Sequence, residues 1–542
     1  MSGEPRAAEA PRAPWELAVL LLGAGAAVLP DLFDVDAFKT AAVALLVAAV
    51  FLPRLLVSGT DDVRAWLQST GGRLHLLAAA LALPLALGAL PNAGVTDRLL
   101  GTALAVTAAV LGLRAGQAGL SLSRALHAAT FTVAVVCLLQ SVGLLGGLTE
   151  LDPQGLPEIV GTLGNSTRAG ALLALGVTAA FAQLVTPDAR EPHWRERFAA
   201  AVLNLGTAAL LLTRARGAWL AAVAGLAMVA FLSRDALFAR LRAWGLPLAV
   251  GIVLAFVLSD GARLLSPKVS HEGPVLSGQD VTARVRLSVW RGTLHLVEDH
   301  ALLGVGLGRF RQAYPPYREP EEAALPGREG LPTEVDHPHN ELLLPFAEGG
   351  LLAGACLLGF LVLTLRRAAA RVRGMGAFAS PRADGGLSDR VALGLLVAGT
   401  VSALVQNAWT TPGTALPFFA AAGWVWRPTS APHPAGAGVR TATRVLLAVL
   451  ILGLLALALP RTRTHVQWWR FYRAAQRDGI NLENIETLVD AADASPGDID
   501  IQTRLVKLAS DVQHDAPEVA DRVDAPLQRA LARVQRLRAP AN

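Results

Sequence analysis

Apolar runs of membrane length recur from Trp15 to Leu459, and they decide the fold class before any motif is read. A bilayer core of ~30 Å takes about 20 helical residues. By that length the chain offers about thirteen candidate spans. They are Trp15–Leu29, Ala37–Val57, Leu74–Leu90, Leu99–Leu113, Ala125–Leu148, Ala169–Val185, Ala199–Thr213, Gly217–Leu232, Trp244–Ser259, Glu341–Leu365, Val391–Trp409, Gly413–Trp426 and Arg444–Leu459. Several are short for a full crossing. Composition agrees: 53% of the 542 residues are hydrophobic and 17% charged, and the mean hydropathy is +0.44. A soluble chain of this length would divide into domains and carry more charge. The expectation is an all-α polytopic membrane protein with about 12–13 transmembrane helices.

The organisation follows from the runs. Residues 1–14 form a short tail without a cleavage pattern. Residues 15–259 hold the N-terminal spans, 260–340 a long polar connection, and 341–460 the C-terminal spans. Residues 461–542 are charged and helix-favouring, with breaks at Asp478-Gly479 and Ser495-Pro496-Gly497. This tail resembles tetratricopeptide-type helix pairs and reads as a partner surface or a solvated appendage. Cys137 and Cys356 lie inside apolar segments and read as small core hydrophobes.

Arginine placement sets the orientation. With the N-terminus in the cytoplasm, inside loops collect residues such as Arg54, Arg64, Arg114, Arg195, Arg240, Arg366 and Arg371. The short outside loops hold only Arg98, Arg168, Arg214 and Arg216. That asymmetry places residues 260–340 outside. An odd number of spans would put the tail outside too. Arg461, Arg463 and Arg470 argue for the opposite side, so the side of the tail stays open.

Asp336-His337-Pro338-His339-Asn340 stands where the long polar connection meets the apolar run Glu341–Leu365. Titratable side chains at the boundary of water and hydrocarbon are costly to hold and mark function by default. The alternative is a polar helix cap, with His337 or Asn340 satisfying backbone donors. Two arginine sites accompany it. Arg214 and Arg216 sit on the outside, against the positive-inside trend, where an anionic ligand would compensate them. Guanidinium forks suit phosphate oxygens; snorkelling to lipid headgroups is the alternative. In the second site, Arg284, Arg286 and Arg291 alternate with Val285, Leu287, Val289 and Leu294 and with Trp290, as in a helix lying on the membrane surface. The run Gly304-Val305-Gly306-Leu307-Gly308 then permits a tight turn or close backbone approach. It follows no predicted strand and lacks a P-loop Lys, so nucleotide binding is not expected.

The long connection also holds His271, His295, His300, Asp280, Glu298, Asp299 and Glu334, without a His-Glu-x-x-His or comparable ligand spacing. No metal and no other cofactor is therefore expected. No Gly-x-Ser-x-Gly elbow supports serine hydrolysis. A net charge of +5, spread over loop ends, gives no reason to expect nucleic acid.

These motifs together resemble the O-antigen ligase and O-antigen polymerase superfamily. His339-Asn340, nine residues and then Gly350 is similar to its signature. Ala353 stands where a second glycine is usual, and Gly354 follows it. Glu348 occupies the acidic position before the glycine. Thr213-Arg214-Ala215-Arg216-Gly217 is similar to the family's Ser-Arg-Gly segment, with Arg216 as the match. Arg286-x-x-x-Trp290 and Leu303-Gly304-Val305-Gly306 are similar to its Arg-Trp and Pro-Leu-Gly-Val-Gly segments. The resemblance spans about residues 200–425 and does not separate ligases from polymerases.

The resemblance implies a metal-independent inverting glycosyltransferase of the bacterial inner membrane, acting on the periplasmic side. Its donor would be a polyprenyl diphosphate-linked glycan, such as one on undecaprenyl diphosphate. Its acceptor would be lipid A core or another glycan or protein hydroxyl. Arg216 and Arg286, with Arg214 beside them, would hold the diphosphate. His339 would take the acceptor's proton. Asn340, His337 or Asp336 would position the ring or the sugar. A polysaccharide polymerase or a protein O-oligosaccharyltransferase is the alternative within the family. A polyprenyl-glycan transporter is the rival outside it, although no internal repeat is evident.

Overall fold

The computed structural model describes residues 122–145, 158–186, 192–259, 281–323, 335–373, 386–409, 411–427, 482–494 and 520–538, with isolated residues around 98–113, 467–470 and 502–506. Among the described residues there is helix and no strand. The expected spans Trp15–Leu29, Ala37–Val57, Leu74–Leu90 and Arg444–Leu459 lie outside them.

The central bundle is built from α1 (Leu122–Ser141), α2 (Ser166–Val185), α3 (His193–Leu212), α4 (Arg216–Leu232) and α5 (Leu241–Leu258). An outer helix α6 (Val281–Asp299) follows. Then come α7 (Leu344–Arg373), α8 (Gly386–Val405) and α9 (Pro412–Val425). Four described helices are long and apolar enough to cross a membrane: Ser123–Ser141 within α1, and α2, α5 and α7. The chain is thus a multi-pass membrane protein by the length and composition of its helices.

Helix α2 is the axis of the bundle. It is buried along nearly its whole length and packs against α1, α3, α4 and α8. Small residues permit these approaches: Gly225 of α4 meets Thr178 of α2 and Ala398 of α8. Asn165 starts α2, its Oδ1 accepting from the Thr167 and Arg168 N–H groups at 2.8 and 3.3 Å. That cap fixes Arg168 in the first turn. Helix α5 turns much of its apolar surface outward, including Leu246, Val253 and Val257, as a lipid-facing helix does.

Two spans differ from their sequence reading. The run Ala125–Leu148 stops being helical at Ser141, where Gly143 takes a left-handed φ of 76°. The run Glu341–Leu365 is one apolar stretch but not one straight helix. Gly350, at φ 69° and ψ −169°, interrupts α7 two turns after it begins. The helix then continues to Arg373, past the expected end.

A second, smaller core lies beside the bundle. Val289 and Leu296 of α6 pack with Phe310, Tyr314, Leu344 and Ala347. Leu287 and Leu294 stay exposed on the same helix. So α6 is amphipathic as expected, with Val289 turned into a protein core and Leu287 and Leu294 turned out. In the tail, α10 (Leu482–Ala494) and α11 (Ala520–Arg538) share a small cluster of Leu488, Ala492, Leu505 and Ala530. Arg533 reaches Asp493 at 2.6 Å. Helix α10 ends just before Ser495-Pro496-Gly497, the break read from sequence.

Candidate functional site

The site is assembled around the interruption in α7. A helix break at membrane depth strands backbone donors and acceptors that must find partners. Here the glycine-rich segment after α6 supplies them. The Val305 N–H donates to the Ala347 carbonyl at 2.9 Å and the Gly306 N–H to the Glu348 carbonyl at 3.0 Å. The Leu351 N–H donates to the Ala301 carbonyl at 2.7 Å. Two backbones this close leave no room for side chains. A Cβ on Gly350 would run into the Leu302 carbonyl, and one on Gly304 into the backbone of Glu348. The Phe346 ring lies against Gly354, so the glycine one place beyond the expected position is the one that takes a close packing contact.

Gly350→Ala is therefore expected to destabilise the protein by about 2–5 kcal/mol, from left-handed strain and overpacking together. Gly359, with open space around its Cα, serves as the control. Gly359→Ala should be neutral or slightly stabilising. Melting temperatures of the two purified variants check this; equal values would show that the break tolerates a side chain.

The motif segment is held from three directions. Trp290 of α6 donates its Nε1–H to the Pro338 carbonyl at 2.9 Å. The Glu341 N–H donates to the Ala403 carbonyl of α8 at 2.8 Å. Asn340 caps the first turn before α7, its Oδ1 accepting from the Leu342 and Leu343 N–H groups at 3.0 Å each. The cap is thus Asn340, which leaves the His339 ring uninvolved in it. Asp336 points elsewhere, pairing with Arg311 at 3.0 Å.

His339 adopts φ 51° and Arg214 φ 55°, the two positive-φ non-glycine residues among those described. Both belong to the segments singled out by sequence. Each such residue costs about 1–2 kcal/mol, and such strain gathers at functional sites. The His337 and His339 rings lie 4.8 Å apart. Burial, the neighbouring His339 and the charges of Arg98 and Arg168 hold His337 well below the ordinary histidine range. Burial and Arg286 bring His339 down to about 4. Burial also lowers the pKa of Arg286 itself.

The structure therefore gathers His337, His339, Arg286, Arg98 and Arg168 into one electrostatic neighbourhood. Arg98 is anchored there by a bidentate pair with buried Glu348, at 3.1 and 3.2 Å. Sequence reasoning identified Glu348 but not its partner, and it did not count Arg98 or Arg168 as site residues. The signal was present: both were exceptions to the positive-inside trend. The Arg214–Gly217 corner joins the neighbourhood through the packing of small residues. Gly170, two residues after Arg168, lies against Ala215 and Ala218. Gly217 lies against Val405, close to the Ala403 carbonyl that holds Glu341. Arg214 is half-buried and Arg216 exposed.

Fold and site together define a helical multi-pass membrane protein with a cationic, histidine-bearing centre at a broken helix. Residues 199–358 match the family described as O-antigen ligase. This is the superfamily that the motifs resemble, and the match runs from α3 to the middle of α7. No curated protein matches the chain.

Proposed function

We propose that the chain transfers a glycan from a polyprenyl diphosphate carrier to an acceptor hydroxyl, with inversion at the anomeric carbon. The observation that carries this reading is the meeting of His339 with Arg286 beside His337, Arg98 and Arg168. A diphosphate leaving group needs fixed cations, and the acceptor needs a neutral base. His339 is neutral at pH 7 because burial and Arg286 disfavour its proton. Donor binding would offset the charge of Arg286 and raise the affinity of His339 for a proton. The acceptor oxygen then bonds to the anomeric carbon as the bond to the diphosphate oxygen breaks. The acceptor proton passes to His339, and the diphosphate departs against Arg286 and Arg216. Asn340 acts by fixing the backbone from which His339 projects.

The substrate would be a glycan on undecaprenyl diphosphate, and the acceptor lipid A core or another glycan or protein. Purified protein given such a donor and an acceptor should release polyprenyl diphosphate and form a new glycosidic bond. A donor that crosses the membrane with its glycosidic bond intact would instead identify a transporter. Surface glycans after gene deletion separate the family's activities: loss of long chains from lipid A core indicates a ligase, and accumulation of single repeats a polymerase.

The reading places the site and residues 260–340 on the periplasmic face of a bacterial inner membrane, by the arginine asymmetry. Ser277→Cys should then react with an impermeant thiol reagent added from outside, and Ser380→Cys should not. The reverse pattern would invert the topology.

A further inference from the structure

We infer that the end of the bundle opposite the histidines carries a second anion site, built for the phosphate of an anionic lipid headgroup. Helix α7 runs from the interruption at Gly350 to Arg371, roughly 30 Å of helix. That is about the thickness of a bilayer core, so its last turns reach the other membrane boundary. There α7, the start of α8 and the end of α9 bring together Arg367, Arg371, Arg390 and Arg427. Among the described residues, their ion pairing reaches one carboxylate, Asp389, which Arg427 grips at 2.7 and 2.9 Å. The surplus is three positive charges. The adjoining segments do not balance it: residues 374–385 and 428–443 bring Arg382 and Arg440 against Asp384.

Ordinary positive-inside arginines extend into water or snorkel to headgroups. These are packed inward on an aromatic floor. Arg427 stacks on Trp424 at 4.4 Å and Arg367 on Trp426 at 4.7 Å, with both indoles buried. Each indole N–H is itself held, by Asp389 at 2.9 Å and Thr364 at 3.0 Å. Part of the cluster has a structural task. Arg371 and Arg367 donate to the Val425 carbonyl at 2.8 and 3.1 Å, closing the end of α9. Arg390 has none of these roles. Its Nε is buried and has no hydrogen-bond partner. Arg390 as a whole is half-buried beside Asp389, so its outer nitrogens, not its buried Nε, are the ones placed to take an anionic oxygen. A phosphodiester at the membrane boundary supplies it.

The test uses the full-length protein purified in detergent, with lipid retention read by native mass spectrometry. Phosphatidylglycerol and phosphatidylcholine are the lipid probes and inorganic phosphate the competitor. Wild type should retain phosphatidylglycerol over phosphatidylcholine. Arg390→Gln should weaken that preference about tenfold, as loss of one charge-assisted contact does. Arg367→Gln should add a similar factor. The Val425 carbonyl keeps Arg371 in that variant, so the end of α9 stays closed, and unchanged melting temperatures in phosphatidylcholine will establish that both variants fold. Equal retention of the two lipids by wild type would overturn the site. So would full phosphatidylglycerol preference in Arg390→Gln. Displacement of the lipid by inorganic phosphate at equal concentration would uphold phosphate recognition and overturn a lipid as its source. None of these readouts depends on glycan transfer.

Discussion

His339→Asn is expected to abolish glycan transfer while leaving the fold and donor binding close to wild type. The substitution suits the backbone at this position. His339 sits at φ 51°, and asparagine tolerates the left-handed region better than most residues. Alanine there keeps the left-handed strain of about 1–2 kcal/mol and loses the packing of the ring, so His339→Ala would mix a folding loss with a chemical one. Asn340 provides the helix cap, so asparagine at 339 changes the base without removing a cap. If His339 takes a proton only as the new bond forms, the loss falls on kcat and not on donor affinity. The pH profile gives a second reading. His339 is held at about 4 by burial and Arg286, so its proton is already off across the neutral range. The acidic limb of kcat/KM should therefore fall near pH 4, below the ordinary histidine value of about 6.5. Stability has the same sign: the unfolded chain binds this proton and the fold excludes it, so stability declines as pH falls from about 6.5 to 4. His337→Ala should be milder in transfer. Wild-type turnover by His339→Asn would refute the general-base assignment.

The helices and the motif were legible in the sequence for different reasons. Hydropathy located α2, α4, α5 and α9 to within a few residues, because lipid imposes both length and polarity on each span. It did not reveal the break at Gly350. Leu344–Arg373 contains an uninterrupted apolar run, and a glycine inside such a run carries no sign of whether the helix kinks there. The break depends on a partner: the Ala301–Gly306 segment must cross it and take its freed backbone groups. That pairing is long-range and has no local signature. The same holds for Arg98, whose carboxylate partner Glu348 lies 250 residues away. What the sequence offered for Arg98 and Arg168 was a violated rule. Cations that run against the arginine asymmetry of a sequence ask for compensation, and in this fold they stand around two histidines. The cap was ambiguous for a local reason, since histidine and asparagine both have side chains able to accept at a helix start. Only the backbone geometry assigns the cap to Asn340.

Arg286→Ala should produce the other large loss, on the order of 2–5 kcal/mol in transition-state stabilisation if a buried charge-assisted contact to phosphate disappears. Arg286 is half-buried on α6 and acts on His339 through its charge. The two roles separate by substitution. Alanine removes the charge, so the His339 pKa should rise toward its ordinary value and the acidic limb move to higher pH. Lysine keeps the charge and so keeps the limb low. It nonetheless lacks the planar fork that meets two phosphate oxygens at once, and turnover should stay poor. Arg216→Ala should also lose turnover. Arg216 is exposed in the first turn of α4, where water weakens each contact, so its loss should be smaller than that of Arg286. Steady-state kinetics of Arg286→Ala, Arg286→Lys and Arg216→Ala across pH measure both effects. Normal turnover in Arg286→Lys would remove the bidentate role. An acidic limb that stays in place in Arg286→Ala would mean that Arg286 does not set the protonation of His339.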